Sequence, residues 1–313
     1  MITILPLLQA AQEQVTASGL ALEYAGFLAY FGVFGALGFF WFVLRPTMRR
    51  HPVIMAGDAG AVSAVAHAES GAATIGVFGA LFMLVNVLMA VSARAADKGI
   101  PFMDALTSGG SRTSTQFVYI ALFLVLFAIA TRRVRAAWIL AAIVGVVFAL
   151  RSITSGKWAS LVNPLHEVAA SLWIGTLFVV VVAALPAILR ADTSTENRGS
   201  LVADLVASFS SLAIGAVLLL LVTGVTTAWR HLKFVAALWT TPYGYALDIK
   251  LVFVAIVALL GAWNWRRMRP RLGTEAAAHE LRSSATRELF FAALVLVVTG
   301  VLVSLPGPKL PHP

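Results

Sequence analysis

The sequence contains no cysteine and few charged residues, and each absence narrows the class of protein that it can encode. Without cysteine there is no disulfide, no thiolate metal ligand and no cysteine nucleophile. Charged residues make up 12% of the 313 positions, whereas hydrophobic residues make up 60% and the mean hydropathy is +0.89. Soluble domains of this length do not have such a composition. The sequence therefore predicts a polytopic membrane protein, in which any soft-metal site uses histidine or methionine.

The sequence motifs of the common enzymes are also missing. It has no glycine-rich phosphate-binding loop, no HExxH and no Ser/His/Asp pattern, so we expect no conventional hydrolase or kinase and no enzyme. The net charge of +9 would suit nucleic acid, but the basic residues lie in short loops between hydrophobic runs. In such loops they orient a protein in the lipid bilayer, so we expect no nucleic-acid partner.

The hydrophobic runs predict an all-α bundle of about eight transmembrane helices. We treat residues 1–313 as one integral membrane domain, with spans one to four in 1–150 and spans five to eight in 151–313. The predicted spans are 20–44, 71–91, 115–131, 136–150, 166–190, 201–229, 245–265 and 288–305. Residues 60–70 are predicted as an amphipathic turn leading into the second span, and residues 266–287 as a short surface helix.

The basic residues also predict the orientation of the bundle. Of the 23 lysines and arginines, 14 lie in the loops after spans one, three, five and seven, and 8 lie in the other loops and tails. Basic loops mark the cytoplasmic side, so both termini are predicted to be periplasmic. Spans one, five and seven then begin at the periplasmic face, and span six ends there. Their polar residues at that face are Glu23, His166, Glu167, Asp248, Lys250 and His231.

The fifth span, which begins with His166 and Glu167, has the strongest functional signal. Ionisable residues at the start of a membrane helix are candidates for a functional site. His166 shares a helical face with Ala169, Ala170 and Trp173, and small residues on that face allow a neighbouring helix to approach closely. Either His166 faces protein or a polar cleft, or it only caps the helix at the interface, and the spacing leaves both open.

A cluster of histidine and carboxylates at one face favours transport or metal handling, because imidazole suits copper and zinc. We expect His166 to be the main ligand, with Glu23, Glu167 and Asp248 supplying charge or supporting contacts. His231 and the tail residue His312 are candidates for capturing metal as it arrives.

A polar seam is predicted beside this site. Lys250, Val257 and Asn264 recur at seven-residue spacing on one face of the seventh span, and Trp173 belongs to the same interior. We expect Lys250 to act as a structural counter-ion. The small and hydroxyl residues of the sixth span, Thr223 among them, are interpreted as helix-packing residues.

An ordered set of short motifs in the second half resembles the copper resistance D (CopD) family. The set comprises His166 followed by Trp173, Ile174 and Gly175; Phe209, Ser210, Thr223 and Gly224; Tyr243, Gly244, Leu247, Lys250 and Asn264; and the proline-ended helix 288–308. The resemblance covers about 164–308. Thr176 stands where the family has a second glycine after Gly175. The first half matches only as hydrophobic spans.

The resemblance implies a bacterial inner-membrane protein that moves copper ion between periplasm and cytoplasm, in the direction of uptake, beside a periplasmic CopC-type copper-binding partner. Two alternatives remain open at this point. One is a haem-binding redox protein, which needs two facing axial histidines, and only His67 and His166 lie in or near spans. The other is a copper-delivery or assembly factor that does not itself transport the ion.

Overall fold

The computed structural model describes residues 17–151, 161–232, 235–263, 266 and 275–305, and these ranges contain helices and no strand. We number the helices in chain order. They are α1 (17–50: Ala17–Gly38, a π-helical turn Phe39–Leu44, and Arg45–Arg50), α2 (Pro52–Met55), α3 (Ala59–Lys98), α4 (Phe102–Ser108), α5 (Gly110–Ala130), α6 (Arg135–Leu150), α7 (Val162–Leu189, with π-helical turns Ser171–Gly175 and Val180–Ala184), α8 (Thr195–Leu232), α9 (Ala237–Thr240), α10 (Pro242–Trp263) and α11 (Glu275–Ser304).

The predicted all-α membrane bundle is confirmed. Within the described ranges, seven helices are long and apolar enough to cross a membrane, namely α1, α3, α5, α7, α8, α10 and α11. The predicted fourth span corresponds to α6, which has 16 residues and is apolar. At 1.5 Å per residue it rises about 24 Å, less than the roughly 30 Å of a hydrocarbon core.

Helix α1 lies at the centre of the bundle because its glycines permit backbone contact on two sides. A Cβ atom built on Gly32 would lie 2.5 Å from the Cα of Gly79 in α3. A Cβ on Gly35 would lie 2.5 Å from the carbonyl carbon of Gly175 in α7. Small residues are the usual means by which membrane helices approach this closely. The side chain of Thr176, next in α7, is fully buried and donates to Gly35 O at 3.4 Å, so a threonine fits this crossing.

The main core joins the two halves of the chain. It contains buried side chains from α1, α3, α5 and α6, together with others from α7 and α8. Near one end of this core, the Trp138 ring of α6 stacks on Phe40 with ring centroids 4.2 Å apart. Its indole Nε1 donates to Glu69 Oε1 of α3 at 3.0 Å. Glu69 is buried, and this hydrogen bond gives its carboxyl group a partner inside the bundle.

Two predictions for connecting segments were wrong. Residues 60–70 do not form a turn but belong to the single helix α3, whose first turn is capped by Asp58 Oδ1 accepting from Ala61 N at 2.8 Å. The glycines that suggested a turn serve helix packing, since Gly60 lies against the backbone of Asp192 and Gly71 against Ala183. Residues 275–287 do not form a separate surface helix but continue into α11, because no glycine or proline interrupts the chain there.

Candidate metal site

Helix α7 begins with the two ionisable residues on which the predicted site depends. Pro164 lies in its first turn, where the missing backbone N–H is tolerated. The first segment, Val162–Ala170, carries His166 and Glu167, and a π-helical turn, Ser171–Gly175, follows directly. Trp173 in that turn is buried against Val257 of α10 and residues of α8 and α11. This packing fixes the register of the helix just beyond His166.

The His166 ring contacts helix α8. Its Nδ1 lies 2.9 Å from Thr223 Oγ1, and the hydroxyl of Thr223 donates its one proton to Leu219 O at 2.7 Å. The Thr223 oxygen therefore accepts a hydrogen bond from His166, which places the ring proton on Nδ1 and the lone pair on Nε2. A histidine whose other nitrogen donates a hydrogen bond in this way is arranged as metal-binding histidines are. The ring also lies against Gly224.

Lys250 of α10 is the charged neighbour of His166. It is half-buried, and its ammonium group is close enough to act electrostatically on the imidazole. Val257, seven residues further along α10, is 2% exposed, so this face of the helix points into protein. Asp248 is exposed and lies on another face of the same turn. Asn264, the third member of the predicted seam, lies outside the described residues.

Glu167 has a different set of neighbours from His166. It lies near Tyr30 of α1, whose hydroxyl donates a hydrogen bond to the Glu167 carboxylate. Arg151, at the end of α6, donates from Nη2 to Tyr30 Oη at 3.4 Å and acts electrostatically on Glu167. Glu23 of α1 is also within electrostatic range. The carboxylates of α1 and α7 therefore form a charged cluster with Arg151, one residue along the chain from the histidine.

The structure brings together only part of the predicted ligand set. Glu23 and Glu167 are neighbours, and His166 is next to Glu167 in sequence but faces α8 and α10. In the ranges that the structure describes, no three histidine, aspartate or glutamate side chains converge as a metal-binding group. The side chain of His231 and all of His312 lie outside those ranges. The described part of the site therefore offers one imidazole nitrogen with carboxylates and a lysine nearby.

A second histidine contact, missed from the sequence, lies at the other end of α8. His51, between α1 and α2, is 1% exposed, and its Nε2 lies 3.2 Å from Ser200 Oγ and 4.0 Å from Asp204 Oδ2. Ser200 donates its hydroxyl proton to Asn197 O at 3.0 Å, so His51 must donate from Nε2. Among the residues that the structure describes, the buried Nδ1 has no hydrogen-bond partner. This nitrogen is therefore enclosed in the protein.

The His51, Ser200 and Asp204 side chains have the residue types of a hydrolytic triad but not its geometry. In a triad the serine and the carboxylate bind opposite ring nitrogens. Here both lie at Nε2, and Nδ1 is free of any carboxylate. The histidine cannot accept a proton from Ser200 in this arrangement. This cluster does not support nucleophilic catalysis.

The described helices define a multi-pass α-helical membrane protein with a histidine-containing polar cluster at one end. Residues 203–302 match the model of the family described as Copper resistance protein D (CopD). The matched range contains Thr223 and Lys250, the two partners of His166, and all of α10. The resemblance to the CopD family is confirmed.

One curated relative supports the same assignment. The copper transport protein CutJ of Bacillus subtilis (strain 168) is 28% identical over 153 residues, which cover 49% of this chain and 26% of CutJ. The match thus spans about a quarter of that protein's length. No solved structure matches this chain.

Proposed function

We propose that this protein is a bacterial inner-membrane transporter that carries copper ion from the periplasm to the cytoplasm. Similarity to the Copper resistance protein D family and to the copper transport protein CutJ supports copper as the ion. The excess of basic residues in the loops after the odd-numbered spans supports a periplasmic location for His166.

One observation carries the proposal. His166 is held by Thr223 with its proton on Nδ1, so that Nε2 carries the lone pair. Neutral imidazole is a good ligand for copper. Because the described site holds one such nitrogen and no three-ligand group, copper would take its remaining ligands from water, a carboxylate or a periplasmic CopC-type donor. Few protein ligands suit an ion that must be released again.

The charged neighbours are assigned supporting roles. Glu23 and Glu167 attract a cation to the mouth of the site, while Arg151 and Tyr30 hold Glu167 in place. Lys250 balances these carboxylates. His231 and His312 remain candidates for first contact with the arriving ion, and no catalytic step is assigned to any residue.

The haem alternative finds less support in the geometry. Haem needs two histidines that face each other across a shared space. His166 faces α8 and α10, whereas His67 lies on α3 and lines a groove between α1, α3, α7 and α11. The copper-delivery alternative differs from transport only in whether the ion crosses the membrane, so it is distinguished by experiment.

The test is copper uptake into proteoliposomes that contain the purified full chain. We expect the wild type to accumulate copper and His166→Ala to show near-background uptake, because the variant lacks the imidazole ligand. His312→Ala, at matched protein density, is the control and retains most of the uptake. Copper bound by the wild type without accumulation would indicate a delivery factor. A washed protein with a Soret band would indicate haem.

The orientation is tested separately. A reporter that is active only in the cytoplasm, fused after Pro313, is expected to be silent. Strong reporter activity would place His166 at the cytoplasmic face and reverse the proposed direction of transport.

A further inference from the structure

An apolar groove of about 1460 Å³ runs along the bundle between α1, α3, α7 and α11. On α3 its lining extends from Ala59 to Phe82, a rise of about 35 Å, which matches the thickness of the hydrocarbon core. Aromatic side chains from all four helices line it, among them Phe31, Phe78, Phe178 and Phe290. His166 is not among its lining residues, so the groove is separate from the candidate metal site.

The groove ends at a pair of opposite charges. Arg190 and Asp192, just after α7, both line it, and both side chains are exposed. Within the described part of the chain, neither side chain makes a hydrogen bond or an ion pair with another group. Two opposite charges at the end of an apolar groove are therefore available to an outside ligand.

The backbone that carries these charges is held firmly. Arg198 Nη1 donates to Ala191 O and to Thr193 O, both at 3.1 Å, on either side of Asp192. Thr193 Oγ1 donates to Asp58 Oδ2 at 3.1 Å, and Gly60 packs against the Asp192 carbonyl. The loop is thus fastened to the starts of α3 and α8. The backbone around Asp192 is therefore already ordered in the protein without a ligand, which lowers the entropic cost of binding one.

We propose that this groove binds phosphatidylethanolamine of the cytoplasmic leaflet. A groove of this volume at membrane depth is filled by acyl chains, and the charges at its end select the headgroup. Arg190 suits the phosphate, which guanidinium groups bind through paired hydrogen bonds. Asp192 suits the primary ammonium, which has N–H donors. Phosphatidylcholine has no ammonium N–H to offer Asp192, and phosphatidylglycerol brings no cation for it. The inference does not depend on copper transport.

The test is native mass spectrometry of the purified full chain, released from micelles that contain equal amounts of phosphatidylethanolamine, phosphatidylcholine and phosphatidylglycerol. We expect the wild type to retain phosphatidylethanolamine preferentially. Arg190→Gln is expected to lower its retention about tenfold, the size of a lost charge-assisted hydrogen bond. Asp192→Asn is expected to remove the preference over phosphatidylcholine while leaving binding of phosphatidylglycerol unchanged or stronger.

Two matched controls come from charges at the same membrane face that do not line the groove. Arg132→Gln and Glu196→Gln make the same changes of charge and should leave lipid retention as in the wild type. Equal retention of the three lipids by the wild type, or equal effects of the groove variants and the controls, would overturn the proposal. Stronger retention of phosphatidylglycerol by the wild type would also overturn it, in favour of an anionic lipid.

Discussion

Two histidines contact hydroxyl groups at opposite ends of helix α8, and the two contacts leave opposite ring nitrogens free. His166 donates from Nδ1 to Thr223, so its Nε2 lone pair is available. His51 donates from Nε2 towards Ser200, and its Nδ1 is enclosed in the protein. The two hydroxyls are 23 residues apart on α8, which is about 35 Å along the helix axis.

The comparison shows that the location of a ring proton separates a ligand from a structural residue. Both side chains are imidazoles in contact with a hydroxyl group of α8, and residue type alone does not distinguish them. Coordination through Nε2 of His51 would move its proton to Nδ1, where no acceptor lies in the described structure. A buried N–H without a partner costs about 1–3 kcal/mol. We therefore assign metal chemistry to the end of α8 with Thr223 and structural stabilisation to the end with Ser200.

The largest expected effect comes from removing each histidine in turn. His166→Ala should weaken copper binding by at least about a hundredfold, because a direct ligand matters at least as much as the groups that support it. His51→Ala should leave copper binding unchanged but lower the free energy of unfolding by about 2–4 kcal/mol, since it empties a buried site. Isothermal titration and thermal denaturation in one detergent measure both quantities. Equal losses of copper binding would end the distinction between the two sites.

The next effect tests the hydrogen bond that fixes the His166 proton. Thr223→Val has nearly the same shape but cannot accept from Nδ1, so copper affinity should fall about 10–100-fold. Thr223→Ser keeps the hydroxyl and should bind copper nearly as well as the wild type. Ser200→Ala makes the corresponding change beside His51, and titration should show no change in affinity. If Thr223→Val binds like the wild type, the proton is not held by this contact.

A smaller effect is expected from the buried carboxyl group on the Ser200 side of the bundle. Trp138→Phe keeps the ring stack on Phe40 but removes the donor to Glu69, at an expected cost of about 1–3 kcal/mol in stability. Copper affinity should not change. Trp138→Phe combined with Glu69→Leu should recover part of the stability, because the unpartnered carboxyl is then gone. Thermal denaturation of the single and double variants measures this, and a further loss in the double variant would contradict it.

The smallest effect is expected at Asp248. It is exposed, so Asp248→Asn should change stability by no more than about 0.5 kcal/mol. Its copper affinity should stay within about threefold of the wild type, as expected for a screened surface charge. Copper titration at low and high salt distinguishes a long-range electrostatic effect of Asp248 from direct coordination of copper. A loss as large as that in His166→Ala would make Asp248 a ligand and enlarge the site.

The sequence was sufficient for the fold class because hydrophobic length and periodicity are local properties of the chain. The helical pattern of residues 166–190 and 201–229 needs no knowledge of their neighbours. The sequence was insufficient for predicting residues 60–70, where glycine and polar residues suggested a turn. Gly60 lies against Asp192 and Gly71 against Ala183, and nothing in the local sequence distinguishes such a glycine from a turn glycine.

The residues of the site were predictable only where one continuous segment contains the ionisable side chains. His166 and Glu167 stand at the start of an apolar run and were found for that reason. Thr223 was interpreted as a packing residue because hydroxyl groups in membrane helices usually are, and its histidine partner lies 57 residues away. His51 was missed between Arg50 and Pro52, since its contact with Ser200 joins residues 149 apart. Contacts at such separations depend on the packing of whole helices.

The two π-helical turns of α7 give this helix a tolerance to changes of length between His166 and Pro186. Each α-helical residue advances the chain by about 100°. A π turn takes up an extra residue by widening the helix, and deleting one residue would let the turn revert to α geometry while the segments on either side keep their register. The Pro186 end is held by the main core. A residue deleted from Ser171–Gly175 would therefore leave His166 facing Thr223, whereas the same deletion in a helix of α geometry throughout would rotate the histidine by more than a quarter turn.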